Sequence, residues 1–329
     1  MSEGFLVTGS LGCIGAWTVR LLVREGARVV SFDAGADMHR PRLIMSDEEL
    51  ARVSWERGDI TDLGRVEQVL DEHEITNIIH LAALQMPFCK ANPPLGAAVN
   101  VVGTVNILEA ALRRADRMAP VVYASSLALF SADDTDPNTE LLPLDAIPHP
   151  PTHYAVYKLA NEGNARIYWR DNGLPSIGLR PMTVNGPGRD QGMTSGPTKA
   201  TMAAVFGRPF AIPFGGKTIY NYAEDTGRAC IMASRAKVAG AQVVNLPGST
   251  VDMSEVVAAI EAAVPEARGL ITYGEPTLPF PHDIEADPAS PVAGAPVTPF
   301  EEATRLTVAL FREARAAGRL VPAEHGLPD

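Results

Sequence analysis

Tyr154 and Lys158 stand four residues apart, so on a helix they share one face and the ammonium can lie beside the phenol. A neighbouring cation favours the phenolate and lowers a pKa otherwise near about 10, which makes a tyrosine usable as an acid and a base. Seven Tyr and five Lys in 329 residues make about 0.1 such pair expected by chance. Tyr157 lies one residue before Lys158, faces elsewhere on the helix and reads as packing.

A second group with chemistry is the run Thr8-Gly9-Ser10-Leu11-Gly12-Cys13-Ile14-Gly15, a G-x-x-G-x-x-G loop between a strand candidate and a helix candidate. Its glycines let backbone approach phosphate, and the unpaired N–H groups and dipole of the helix start favour a pyrophosphate. Gly9, Gly12, Ile14 and Gly15 are its cofactor-binding candidates. Glycines of this kind also serve tight turns and close helix packing. Asp33 ends the next strand, 18 residues past Gly15, where a carboxylate binds the adenosine ribose hydroxyls and repels a 2′-phosphate. NAD is therefore favoured over NADP; Arg40 and Arg42 nearby argue the other way, and a strand-end turn is the purely structural reading of Asp33. Cys13 sits at the helix start, where a thiol pKa drops, although small packing residues are common there.

These groups need rigid elements to hold them. Short β-branched runs at 5–8, 28–32, 53–57, 77–81, 121–124 and 176–179 alternate with helical patterns at 14–25, 63–72, 95–114 and 153–172. That alternation predicts an α/β chain of the Rossmann type, a doubly wound parallel sheet, with a smaller C-terminal substrate-binding region. The boundaries read as 1–180 for the dinucleotide-binding domain, with a returning segment near 225–247 that includes a strand at 242–246. Residues 181–224 and 248–329 read as the substrate-binding region, irregular and rich in Pro and Gly, with loops at 276–299. The 95–114 helix is apolar on more faces than one buried stripe requires, so it is either wholly inside or packed on a second subunit.

Composition narrows the partners. Hydrophobic residues make up 46 % and charged residues 20 %, and 28 Lys and Arg against 39 Asp and Glu leave a net charge of −11. A self-repelling acidic surface disfavours nucleic acid and anionic lipid as default partners. Three cysteines without C-x-x-C spacing indicate neither a disulfide framework nor a zinc site and suit a reducing cytoplasm. No export segment and no run approaching a membrane span are expected, and the scattered histidines form no metal-binding pattern, so no metal is expected.

Ordered motifs along nearly the whole chain resemble the extended short-chain dehydrogenase/reductase superfamily, the NAD-dependent epimerase/dehydratase group. They are the glycine loop, Gly58-Asp59-Ile60, His80-Leu81-Ala82-Ala83, Tyr123-Ala124-Ser125-Ser126, Tyr154-x-x-x-Lys158 and Leu179-Arg180-Pro181. The resemblance implies that Asp59 and Ile60 contact the adenine, Leu81 and Ala82 line the cofactor and Pro181 lies near the nicotinamide. It further implies that Tyr154 transfers a proton to or from a substrate hydroxyl and Lys158 holds the nicotinamide ribose. Ser126, chosen over Ser125 by the family register, would bond the reacting oxygen. Asn100 resembles the family asparagine that supports the active-site helix and a proton relay; a buried hydrogen-bonding asparagine is the alternative. The same resemblance implies a homodimer built on the helices carrying Asn100 and Tyr154.

The chain departs from that pattern in ways that bear on the reaction. Ser126 is followed by Leu127-Ala128 where sugar-nucleotide dehydratases resemble one another in carrying an Asp-Glu pair, which argues against dehydration. Thr183 stands where a substrate-binding asparagine is frequent, and no arginine occurs in 216–220 or 277–283, where nucleotide-sugar enzymes offer arginines to a diphosphate. Lys217, Lys199 and Arg189 remain available to a carboxylate, or are solvated surface charges. The expectation is an NAD-dependent dehydrogenase acting on a secondary alcohol or carbonyl of a small polar molecule such as a sugar, sugar acid or hydroxy acid. A sugar or nucleotide-sugar epimerase is the alternative, and a non-catalytic dinucleotide sensor is a third reading, disfavoured because Tyr154, Lys158 and Ser126 are all present.

Overall fold

The computed structural model describes residues 3–327. Seven strands form one sheet in the spatial order Ala241–Asn245, Ser176–Arg180, Val121–Ala124, Asn77–His80, Gly4–Thr8, Arg28–Asp33, Val53–Arg57. Every neighbouring pair is parallel. Parallel strands need crossovers that cover both faces of the sheet, and the sequences comply: all residues of Gly4–Thr8 and of Asn77–His80 are buried. The sheet is thus of the doubly wound Rossmann type. Its first three strands run outward one way and the fourth starts the return on the other side of Gly4–Thr8, so the carboxyl ends of Gly4–Thr8 and Asn77–His80 open a crevice. The strand expected at 242–246 forms as Ala241–Asn245 and pairs with Ser176–Arg180.

Two helices obey local signals closely. Leu63–Glu72 begins after Asp62, whose side chain accepts the Arg65 N–H at 3.0 Å. His153–Asn172 begins after Thr152, whose hydroxyl accepts the Ala155 N–H at 3.2 Å, and ends at Gly173 with φ 70°, a conformation that costs glycine little.

The single helix expected over 95–114 is instead Pro93–Ala97, a π turn over Ala98–Val102 and Gly103–Leu112. The wide turn puts Asn100 inward, 1 % exposed, while Leu95 and Val102 are each 50 % exposed. Contrary to the sequence expectation, the 20-residue helical run Pro93–Leu112 does match a membrane span in length and composition. Here it is built into the protein: Asn100, Thr104 and Asn106 all bond neighbouring backbone or side chains.

The C-terminal part is more regular than expected. It contains a three-stranded sheet of Thr183–Asn185, Lys217–Tyr222 and Ser249–Asp252. Around it pack the helices Gly196–Val205, Met253–Ala263 and Phe300–Ala316. The loop-rich reading holds for 276–299, where Asp283–Ile284, paired with Leu141–Leu142, is the one strand among described residues. One apolar cluster runs without a break from Phe5, Val7 and Trp17 to Phe311, Leu320 and Leu327, so the two parts share a core.

Candidate active site

The glycine loop closes tightly at the crevice. Gly9 has φ 65°, and a Cβ there would stand 2.5 Å from Ala82 N. The loops after the first and fourth strands therefore touch where only a glycine fits. Gly12 N donates to Gly9 O at 3.0 Å, and a Cβ on Gly15 would run into Gly9 O. The helix Cys13–Arg24, with Ile14 in its first turn, starts at Gly12 with no side-chain cap, leaving its first N–H groups to a ligand.

Asp33 sits at the mouth of this cradle. Its carboxylate accepts Leu11 N at 3.1 Å and Gly35 N at 2.9 Å. Arg40 is committed elsewhere: it donates to both oxygens of Asp190, at 2.6 Å for its shortest bond, and to Leu11 O. Arg40 is therefore not free to meet a 2′-phosphate at this mouth. Asp59 is exposed and Leu81 and Ala82 are half-buried. Ile60 is 4 % exposed and is pressed on Gly103, whose Cβ would lie 2.5 Å from its Cδ1, so its side chain belongs to the core. Backbone cradle, uncapped helix start and Asp33 together fit a dinucleotide whose adenosine ribose carries no 2′-phosphate, which is NAD.

On the other side of the crevice, Ser126 and Tyr154 line one cavity of about 120 Å³ with Gln85, Met86, Pro87, Ala128, Met182, Arg189, Gly192, Met193, Thr194 and Phe280. The two adjacent serines part here: Ser125 donates to the buried Glu162 at 2.5 Å, and Ser126 faces the cavity. Glu162 is in turn held by a two-pronged Arg180 pair at 2.6 and 2.7 Å, a rigid ionic floor beneath the site. Pro181 is buried next to it, and its carbonyl accepts Leu127 N at 3.1 Å.

Lys158, 4 % exposed, donates to Ala124 O at 2.5 Å and lies 5.6 Å from the centroid of the Tyr154 ring. Burial pulls its ammonium down to about 8, against the opposing charges of Cys89 and Glu162. Burial, helped by the same ammonium, lowers His80 to about 3, so that imidazole is neutral between Thr8 at 2.7 Å and Thr104 at 3.1 Å.

Tyr154 corrects the sequence expectation. Burial raises the phenol above its ordinary value, outweighing the Ser126 hydrogen bond and the Arg189 charge that favour the phenolate. Arg189 is a second cation that favours the phenolate, beside Lys158 at 5.6 Å from the ring centroid. Cys13 corrects another: burial pushes its thiol up to about 12 despite the helix start, and it packs beside Pro187 O. Tyr157 is buried, as packing requires, and its hydroxyl donates to Pro93 O at 2.9 Å.

Asn100 is engaged by backbone. Its amide brackets Leu84, donating to the carbonyl at 2.9 Å and accepting from the N–H at 2.7 Å. Its own carbonyl takes Asn161 Nδ2 and Thr104 Oγ1, each at 2.8 Å. Asn100 therefore fastens the loop after Asn77–His80 to the helix bearing Tyr154.

Of the three cations singled out for a carboxylate, only Arg189 reaches the cavity. The stretches lacking arginine are neighbours in space: Gly215 bridges Thr277, and His282 Nδ1 meets Lys217 O at 2.9 Å. Sequence reading missed Gln85, Gly192, Thr194 and Phe280, which come from three loops without a motif. It also missed a buried cluster on Asp190. His39 Nε2 and His325 Nδ1 meet one carboxylate oxygen at 2.9 and 3.1 Å, while Arg40 makes its shortest bond to the other. The cluster has ligand-type groups, yet a guanidinium bonded to the carboxylate supplies the positive charge a metal would bring. It is a clamp, tying the segment after Arg28–Asp33 and the chain end to the residue next to Arg189.

Residues 5–246 match the model of the NAD dependent epimerase/dehydratase family. UDP-glucuronate 4-epimerase 6 of Arabidopsis thaliana is 33 % identical over 55 % of this chain and 40 % of its own length. The chain spans about half the length of several curated relatives it matches. Among solved structures, the UDP-glucose 4-epimerase of Thermus thermophilus in complex with NAD is 25 % identical, with a TM-score of 0.78 over 95 % of this chain and 100 % of that one. L-threonine dehydrogenase from Clostridium difficile superimposes at a TM-score of 0.81 with 19 % identity, over 95 % and 98 % of the two chains, a likeness of fold alone. With the glycine cradle, Asp33 and the Ser126, Tyr154 and Lys158 group in place, the chain belongs to the NAD-dependent epimerase/dehydratase family of the extended short-chain dehydrogenase/reductases and uses NAD.

Proposed function

We propose that the chain is an NAD-dependent dehydrogenase or reductase acting on a secondary alcohol or carbonyl of a small polar substrate. The observation that carries this reading is the cavity itself: it joins Ser126 and Tyr154 to one cation, Arg189, at about 120 Å³. Pockets for drug-sized ligands run to about 300–1,000 Å³, so a sugar-sized molecule suits it better than a nucleotide sugar.

In this reading Gly9, Gly12, Gly15, Asp33, Leu81, Ala82, Lys158 and Pro181 hold the cofactor, which when bound supplies the hydride acceptor. Ser126 Oγ hydrogen-bonds the reacting oxygen and fixes it against the Tyr154 hydroxyl. Tyr154 takes the alcohol proton in oxidation and returns it in reduction. Lys158 spends one N–H on Ala124 O and keeps two donors for the nicotinamide ribose and the phenol. Met86, Met182, Met193 and Phe280 give the reacting carbon an apolar wall.

The second reading is a sugar or nucleotide-sugar epimerase, favoured by relatives named as UDP-glucose and UDP-glucuronate 4-epimerases. It uses the same tyrosine and returns the hydride to the opposite face. The test is stoichiometry: NADH formed in proportion to substrate consumed supports the first reading, and isomerised substrate without NADH supports the second.

We place the protein in the cytoplasm as a homodimer, with no nucleic-acid or membrane partner. Leu95, Val102 and Val156, 47–50 % exposed on neighbouring helices, supply the apolar contact, and light scattering at micromolar concentration tests it by showing twice the chain mass.

A further inference from the structure

Arg189 is a half-buried guanidinium without a counter-ion: among the described residues it makes no ion pair. Its one side-chain hydrogen bond runs from Nη2 to Thr194 Oγ1 at 3.0 Å, and its Nε is buried with no partner. Burial lowers its pKa, and the neighbouring Asp190 carboxylate, already bonded to Arg40, offsets this only in part. On the same cavity wall Gln85 Oε1 is also buried and unpartnered. Gly192 lies between the two. A Cβ there would stand 2.6 Å from Gln85 Oε1 and 3.2 Å from Arg189 Nη2, and its φ of 93° is one that glycine tolerates. An arginine with its Nε unpartnered and an unpartnered acceptor thus flank Gly192 on the cavity wall that also carries Ser126 and Tyr154.

We propose that this stretch of cavity wall is the substrate's carboxylate subsite: the Arg189 guanidinium pairs with the carboxylate, and the Gln85 side chain, left without a partner by the protein, turns to accept a hydroxyl carried next to it. The substrate class is then a sugar acid or hydroxy acid and not a neutral sugar. A diphosphate is disfavoured because the cavity offers one guanidinium: Arg40 is taken by Asp190, and Lys158, Lys199 and Lys217 lie outside the lining. Asp190 bears on this as a positioning residue, since its clamp of His39, Arg40 and His325 fixes the backbone that carries Arg189.

This proposal rests on the oxidoreductase reading of the cavity, and its test separates the two. NAD-loaded protein is assayed with matched pairs, D-galacturonate against D-galactose and D-gluconate against sorbitol. Binding is measured in parallel by calorimetry on the NAD-loaded Tyr154→Phe protein, where turnover plays no part. The expected result is that an acid is preferred over its neutral partner by roughly 100-fold. Arg189→Met abolishes that preference in both assays and Arg189→Lys restores part of it. Equal handling of acid and neutral partner, no acid binding at millimolar concentration, or an unchanged preference in Arg189→Met overturns the subsite. Acid binding that depends on Arg189 without any NADH formed keeps the subsite and overturns the oxidoreductase reading.

Discussion

Lys158 holds its ammonium 5.6 Å from the centroid of the Tyr154 ring. A Lys158 N–H is spent on the Ala124 carbonyl at 2.5 Å, so in the free protein the lysine is anchored to the sheet edge and not to the phenol. The phenol, raised by burial, is protonated at neutral pH.

Oxidation requires Tyr154 to accept a proton, so its rate rises with pH between about pH 7 and pH 9, while carbonyl reduction, which uses the protonated form, is favoured at the lower end. Initial rates in both directions across this range check it; an oxidation rate that is flat or falling with pH contradicts it. Tyr154→Phe lowers turnover by about 100-fold or more and leaves NAD affinity nearly unchanged, since the phenol serves the chemical step.

Gly9→Ala puts a Cβ 2.5 Å from Ala82 N at a φ of 65°, forcing the two crevice loops apart. A left-handed non-glycine residue costs about 1–2 kcal/mol before the clash is counted. The expected outcome is a lower melting temperature and at least a tenfold weaker NAD affinity, read by calorimetry.

Asp33→Ser removes the carboxylate that accepts Leu11 N and Gly35 N and opens the mouth of the cradle to a 2′-phosphate. The ratio of NAD to NADP efficiency is expected to fall by roughly tenfold or more, equivalent to about 1.4 kcal/mol. A ratio left unchanged would move cofactor choice to another residue.

The Asp190 clamp has its own pH signature. Burial alone would raise the Asp190 carboxyl, and hydrogen bonds from His325, His39 and Arg40 outweigh it and hold it well below the usual range. Its stabilisation is present above the unfolded value of 3.8 and lost as pH falls through the folded one. The His39 imidazole is raised mainly by its bond to Asp190, so its share is complete below 6.5 and lost as pH rises through the folded value. Asp190→Asn is expected to destabilise by about 3 kcal/mol, most strongly between these limits. Urea midpoints of wild type and variant at a series of pH values measure it, and a pH-independent difference contradicts it.

Much of the fold was legible because its signals are local. Gly4–Thr8 and Asn77–His80 carry short apolar runs and are buried along their whole length, and Asp62, Thr152 and Gly173 mark helix ends within one turn. The π turn at Asn100 was not legible, since it depends on bonds to Leu84 and Asn161 from other segments. The same reason hid the far wall of the cavity and the Asp190 clamp, whose histidines lie 151 and 135 residues from it in the chain. Tyr154 and Lys158 were found by spacing; the direction of the phenol's pKa was not, because spacing shows a nearby cation but not the burial that opposes it.

The central claim is tested most directly by incubating the protein with NAD and sugars, sugar acids and hydroxy acids, following nicotinamide absorbance and substrate stereochemistry by NMR in the same tubes. The account predicts NADH in proportion to a carboxylate-bearing substrate consumed. Isomerised substrate with no accumulated NADH would contradict it.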